Sequence, residues 1–160
     1  MRLTLLGIGR LKVGAERDIF QRYFARLADL GRAQGIAKVE AREIDESRAR
    51  RPADRRAAEA ALLLGALQKG DRLALLDERG ALLSSPQWAG DIAKARDGAT
   101  PGYVVAIGGP DGVDDSVRAR AQIMISFGAV TWPHQLMRAM ACEQLYRALT
   151  ILAGSPYHRA

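Results

Sequence analysis

The run "YVVAIGG" at residues 103–109 limits the folds open to this chain more than any other stretch. Its side chains are apolar without alternation, and so short a run ending in two glycines reads as a strand buried on both faces, as in a parallel sheet. Comparable strands recur along the chain, separated by helical periodicity. "RLTLLGI" (2–8) and "AKVEAREI" (37–44) read as strands, as do "DRLALLD" (71–77) and "IMISFG" (123–128). Between them, residues 15–35 place Ile19, Tyr23, Leu27 and Leu30 on one helical face. Residues 53–70 read as a helix closed by Gly70, and residues 84–98 as one with Ser85 as N-cap and Pro86 at its first position. A short helix over 114–122 and a long last helix over 134–154 complete the pattern. Strands and helices alternating at this length predict one α/β domain over residues 1–160, with a mostly parallel sheet and helices on both faces.

Composition narrows the class. With 160 residues the chain is long enough to bury a real core. The single cysteine, Cys142, excludes an internal disulfide, and no Cys/His spacing resembles a metal site, so no metal is expected. A reducing, cytoplasmic setting is the expectation. The opening "MRLTLLGIGRLKV" contains a short apolar run, but Arg10 and Lys12 end it and no small-residue cleavage site follows; it reads as a strand, not a leader. No apolar run approaches the roughly 20 residues that span a bilayer, so a soluble protein with no membrane partner is expected.

The formal net charge of +6, with a sequence pI near 10.0, suggests a polyanionic partner. Arginine supplies 20 of the 24 basic residues, and its placement says more than its count. "RARRPADRR" (48–56) carries five arginines against one acid, Asp54. This run is compatible with a solvated face and with an RNA-facing surface.

An open parallel sheet binds ligands at the carboxyl ends of its strands. "GIGRLKVG" after the first strand has Gly7 and Gly9, but Lys12 stands where a dinucleotide fingerprint needs its third glycine. The ribose-binding acid expected about 20 residues on is also missing, and the chain has no phosphate loop. "AIGGPDG" (106–112) on its own reads first as a tight strand-to-helix turn, and its glycines also allow a backbone that approaches a ligand closely. "LLDERGA" (75–81) and "SFGAVTWPHQ" (126–135) look similarly unsuited to pure connection, and the three loops leave the sheet on one side.

The last helix carries His134 and Arg138 on one face, and Glu143 and Arg147 at the spacing of an ordinary ion pair. Met137, Ala141, Leu145, Ala148 and Leu152 form its apolar face, and Cys142 reads as a structural thiol. The chain then ends "GSPYHRA", with Tyr157, His158 and Arg159 together where order is hardest to obtain.

"IGGPDG", "TWPHQLMRAMACEQLYRA" and "SPYHRA", in this order, resemble the bacterial RlmH family of the SPOUT methyltransferases. The resemblance covers the whole chain and is densest from Leu75 onward. On those motifs it implies S-adenosyl-L-methionine as methyl donor, no metal, and methylation of N3 of a pseudouridine in the loop of helix 69 of 23S rRNA. It implies a C-terminal trefoil knot, which general topology rules disfavour, and a homodimer to which the final helix contributes. By position, the donor pocket should use Leu76, Gly108 and the stretch Gly128, Ala129, Val130, Thr131, Trp132 and Pro133. Gly128 stands where serine is common in the family, Trp132 where leucine or phenylalanine is usual, and Ala160 where an acid often ends the chain.

The chemistry agrees with the residues. N3 must lose a proton, leaving negative charge on the uracil carbonyl oxygens. His158 is the candidate to receive that proton and Arg159 to hold the charge, while Tyr157 packs or stacks. Two other readings remain open from sequence: a non-catalytic RNA-binding module that has lost the donor, and a nucleotide-dependent oxidoreductase.

Overall fold

The computed structural model describes residues 1–159, so Ala160 lies outside the described residues. The chain builds β1 (Arg2–Ile8), α1 (Ala15–Ala33), β2 (Lys38–Ile44), α2 (Pro52–Gly65) and β3 (Arg72–Leu82). It continues with α3 (Ser85–Asp97), β4 (Gly102–Ile107), α4 (Asp115–Arg120), β5 (Ile123–Ser126) and α5 (His134–Leu152). The strands form a five-stranded sheet in the order β2-β1-β4-β3-β5, and every neighbouring pair is parallel. Two of the segments singled out in the sequence leave β4 and β5, while the third, residues 75–81, lies within β3 itself; because these strands lie side by side, the three gather at one edge.

Strand periodicity sorts the core into two layers. Leu3, Leu5, Ala74, Leu76, Tyr103, Val105 and Ile107 point to the face covered by α1, α3 and α5. Leu6, Ile8, Leu73, Leu75, Val104 and Ala106 point to the face covered by α2 and α4. Every residue of β4 is buried, as its unbroken apolar run requires. A polar chain is embedded beneath α3: the Trp88 indole donates to the Tyr103 hydroxyl at 3.0 Å, which donates to Asp91 at 2.8 Å. Arg72 closes it with an ion pair to Asp91. Each buried polar atom in this chain thereby gains a partner, which burial otherwise makes costly to omit.

Three boundaries depart from the sequence reading. The helix expected to run to Gly70 ends at Gly65; Gly70 instead has φ +85° and makes the turn into β3. The N-cap of α3 is Ser84, whose hydroxyl accepts from the Gln87 N–H while the Gln87 side chain accepts from the Ser84 N–H. Ser85 is free for another task, and its hydroxyl donates to Gln144 on α5. The third departure is β3, which continues to Leu82 and does not stop at Asp77. Leu76 and Ala81 both register with Ile125, so Asp77–Gly80 bulge out of the ladder. Such a bulge bends a strand and re-aims its side chains.

Gly7 and Gly9, which fail as a nucleotide fingerprint, make room for an arginine. The Arg138 guanidinium, 4% exposed, crosses over Gly7 from α5. It donates to the carbonyls of Ile8 and Gly9 and, at 3.0 Å, to Glu43. A Cβ on Gly7 would stand 2.6 Å from Arg138 Nε. Gly7→Ala should therefore lower the stability of the fold by about 1–3 kcal/mol, the usual cost of overpacking a filled core. Chemical denaturation checks this, and Leu11→Ala in the neighbouring loop should change the midpoint far less.

Candidate active site

The carboxyl edge of β3 and β4, together with the segment that follows β5, encloses a cleft of about 660 Å³. One wall is the bulge, with Leu76, Asp77 and Glu78; the second is the glycine loop from Gly108 to Val113. The third is Thr131–Pro133 together with His134 and Met137 at the start of α5. A smaller cleft of about 140 Å³ adjoins it, lined by Leu76, Gly128, Val130, Thr131 and Trp132. Of the eight positions expected to hold the donor, seven therefore line one or both of these clefts. Ala129 lines neither and is exposed.

Local bonding shapes the third wall. The Ser126 hydroxyl accepts from the Gly128 N–H at 3.2 Å and donates to the Gly128 carbonyl at 3.1 Å. Gly128 has φ +112°, a backbone conformation that disfavours any side chain, which accounts for glycine here. The Trp132 indole donates back to the Phe127 carbonyl at 3.3 Å, folding the segment onto itself. Lys12 N–H donates to the Gln135 side chain at 3.2 Å and ties the start of α5 to the β1–α1 loop.

The bulge brings an acidic character that sequence reasoning did not assign. Asp77 is nearly inaccessible; it accepts from Arg118 Nε at 2.9 Å and from the Arg79 N–H at 2.9 Å. Glu78 lines the cleft and, among the described residues, makes no ion pair. The signal was the strand-end string "LLDERGA" itself, but strand length conceals that Asp77 turns inward while Glu78 stays exposed.

The other candidates separate. His134 lines the cleft, whereas Arg138, one turn later, is sequestered beneath Gly7, where burial pulls its pKa below the ordinary arginine value. Cys142 is fully buried, and burial pushes its thiol up to about 12, consistent with a structural role. Leu145, on the expected apolar face of the last helix, is fully buried in the chain's own core. Among the described residues no group of three or more His, Cys, Asp or Glu could hold a metal ion, and no helix is long and apolar enough to cross a membrane.

The tail folds back along α5. Tyr157 hydroxyl donates to Glu143 at 3.0 Å, its ring meets Tyr146 edge-on at 4.9 Å, and Arg147 lies 5.0 Å over it. Burial, then bonds to Tyr23 and Glu143, raise the pKa of this phenol. His158 is half-buried, and its buried Nδ1 has no hydrogen-bond partner among the described residues. None of Tyr157, His158 and Arg159 lines the cleft of the same chain. Their anchor, Glu143, lies roughly 14 Å along the helix from His134. It borders a separate apolar groove of about 640 Å³ with Ile19, Leu136 and Met140.

A doubly covered parallel sheet with its cleft built at one edge, from a strand bulge, a glycine loop and the segment before the last helix, is the arrangement of a ligand-binding α/β enzyme. The family model described as "Predicted SPOUT methyltransferase" matches residues 1–158, and the chain belongs to this family of methyltransferases. Its relatives include proteins named "Ribosomal RNA large subunit methyltransferase H". That of Methylocella silvestris is 54% identical over 159 residues, which cover 99% of each chain. The one from Xanthobacter autotrophicus is 52% identical over the full length of both chains. The one from Methylobacterium radiotolerans is 55% identical over 99% of this chain and 98% of its own.

Gly108 fills a tight position independently of any ligand, because a Cβ there would meet Val113 Cγ2 at 2.5 Å. Gly108→Ala should destabilise the protein by about 1–3 kcal/mol. Adding Val113→Ala should recover part of that loss in thermal unfolding, by clearing the space.

Proposed function

We propose that this protein transfers a methyl group from S-adenosyl-L-methionine to large-subunit ribosomal RNA, at N3 of a pseudouridine in the loop of helix 69 of 23S rRNA. The observation that supports this most is the convergence of Leu76, Gly108 and Thr131–Pro133 on one cleft, in a chain about half identical to proteins named as large-subunit ribosomal RNA methyltransferases. The residues present fit the donor. The cleft is large enough for a nucleoside-sized ligand, has apolar patches in Leu76, Met137 and Trp132, and offers Glu78 to a cationic group. The donor, when bound, supplies a methyl already activated by its sulfonium. The trefoil knot implied for the C-terminal part belongs to the same proposal, as does a cytoplasmic setting.

The chain's own groups supply the rest. Backbone at Gly108 and along Gly128–Pro133 holds the donor in line and excludes water. His158 accepts the N3 proton, and the Arg159 guanidinium holds the negative charge left on the ring carbonyls. Tyr157, fixed by Glu143 and Arg147, anchors the segment that presents both. Because the tail does not line its own chain's cleft, it serves the cleft of a second copy in a homodimer. The apolar groove beside Tyr23 and Met140 fits that association, since Leu82 at its rim is 73% exposed. Of the five arginines in 48–56, Arg55 and Arg51 pair with Asp111 and Asp54, which leaves Arg48, Arg50 and Arg56 for RNA phosphates.

Deleting residues 157–160 should abolish single-turnover methylation of ribosomes while leaving donor affinity nearly intact. His158→Ala and Arg159→Ala should each slow it by about 10²-fold or more. Retention of near wild-type rate by the deletion would move the chemistry elsewhere, with His134 next in line. A second measurement addresses RNA. Arg48→Ala/Arg50→Ala should weaken rRNA binding and flatten its salt dependence, with donor affinity constant. An unchanged salt slope would make the run a solvated connection.

A further inference from the structure

The glycine loop forms one wall of the cleft, yet its outer side is held by a helix on the far face of the sheet. Asp111 accepts two bonds from Arg55 of α2, from Nε at 2.6 Å and from Nη2 at 2.9 Å. The remaining nitrogen, Nη1, donates to the carbonyls of Ala49 at 3.1 Å and Arg50 at 3.0 Å. One turn along α2, Glu59 is 4% exposed, and its Oε1 accepts from the Ser47 N–H at 2.9 Å. A Cβ added to Gly109 would stand 3.0 Å from Glu59 Oε2 and 3.0 Å from Ile8, so this part of the loop lies flush on α2 and β1.

Arg55 and Glu59 share one helix face. Between them they bind two loops: the arginine-rich connection after β2 and the glycine loop after β4. A bidentate guanidinium–carboxylate pair fixes orientation as well as distance. A ligand held through backbone demands that precision, because a displacement of a fraction of an ångström in a wall costs affinity. Arg55 itself does not line the cleft; only its partner Asp111 does.

We propose that Arg55 is a positioning residue: through Asp111 it sets the glycine loop in the shape that receives the methyl donor, and through the Ala49 and Arg50 carbonyls it makes that shape depend on the arginine-rich connection. This rests on the reading of the cleft as the donor site. Polyanion bound at the connection and donor bound in the cleft then influence one another, reciprocally and by the same factor.

The test is calorimetric titration of the full chain with S-adenosyl-L-methionine, well below the melting temperature of each variant, alongside steady-state methylation. Arg55→Ala and Asp111→Ala should each weaken donor binding about tenfold or more, and the double variant should bind no more weakly than either single. Arg55→Lys keeps the charge but cannot make all four bonds, so it should recover only part of the affinity. KM for the donor should rise in these variants while kcat at saturating donor stays within about twofold. Asp111→Asn, which keeps the shape of the side chain, should fold normally and show the same direction. Lys38→Ala removes an ion pair of 2.7 Å outside the cleft and should leave donor affinity unchanged. Wild-type affinity in folded Arg55→Ala and Asp111→Asn, with only a lower melting temperature, would reduce Arg55 to a support of the fold and overturn the inference. Additive losses in the double variant would overturn it as well. Failure of the wild-type chain itself to bind the donor would instead refute the donor reading, and the inference with it.

Discussion

The buried guanidinium of Arg138 is the contact on which the geometry of the cleft depends. It joins three elements that the sequence keeps far apart: the end of β1, the end of β2 through Glu43, and the second turn of α5. Removing such a group would orphan two backbone carbonyls in a nearly dry site, where unmet polar groups are costly. Because Arg138 fixes α5 one turn after His134, it also fixes where the Thr131–Pro133 segment ends. Gly7 is the other half of the arrangement, since only a residue without a side chain leaves the guanidinium its place.

That pairing marks where sequence reasoning stops. The layers of the sheet were legible because strands of period two and helices of period 3.6 leave distinct apolar patterns. β1, β2, β4 and α5 accordingly begin and end within a residue or two of their expected bounds. Gly7 and Gly9 invited comparison with a nucleotide loop because local sequence cannot say that an arginine 131 positions later will fill the space. The cap of α3 falls one residue earlier than its serine pair alone suggests: Gln87, three residues after Ser84, closes a capping box with it, while Ser85 turns to Gln144 on α5. The end of α2 was misread because a glycine after a helix and a glycine starting a strand look alike until φ is known.

For the cleft, the glycine loop and the segment before α5 were recognisable as strings, and order in the sheet brought them together. The inward turn of Asp77 was not recognisable, because a bulge is a matter of register against β5 and leaves no periodic trace. The tail shows the opposite limit. Its residue types suggested chemistry at once, but only the Tyr157–Glu143 bond reveals that the segment is fastened to the middle of α5, away from its own cleft. Arg55 hid in plain view: within a run of five arginines, nothing local separates the one that is committed to Asp111 from those that face solvent.

The Arg138 contact also orders events during synthesis. The guanidinium reaches a carbonyl 130 residues earlier in the chain, and α5 packs extensively on α1. β1 lies between β2 and β4 in the sheet, so its second edge stays bare until residue 107 has emerged. A nascent chain halted before α5 would leave open the part of the sheet's apolar face that α5 covers, with only α1 and α3 to shield the rest. Long-range closures of this kind are slow and leave sticky intermediates. The sheet therefore closes as a whole only once α5 is available to cover it, and every shorter length of chain keeps part of its apolar face open.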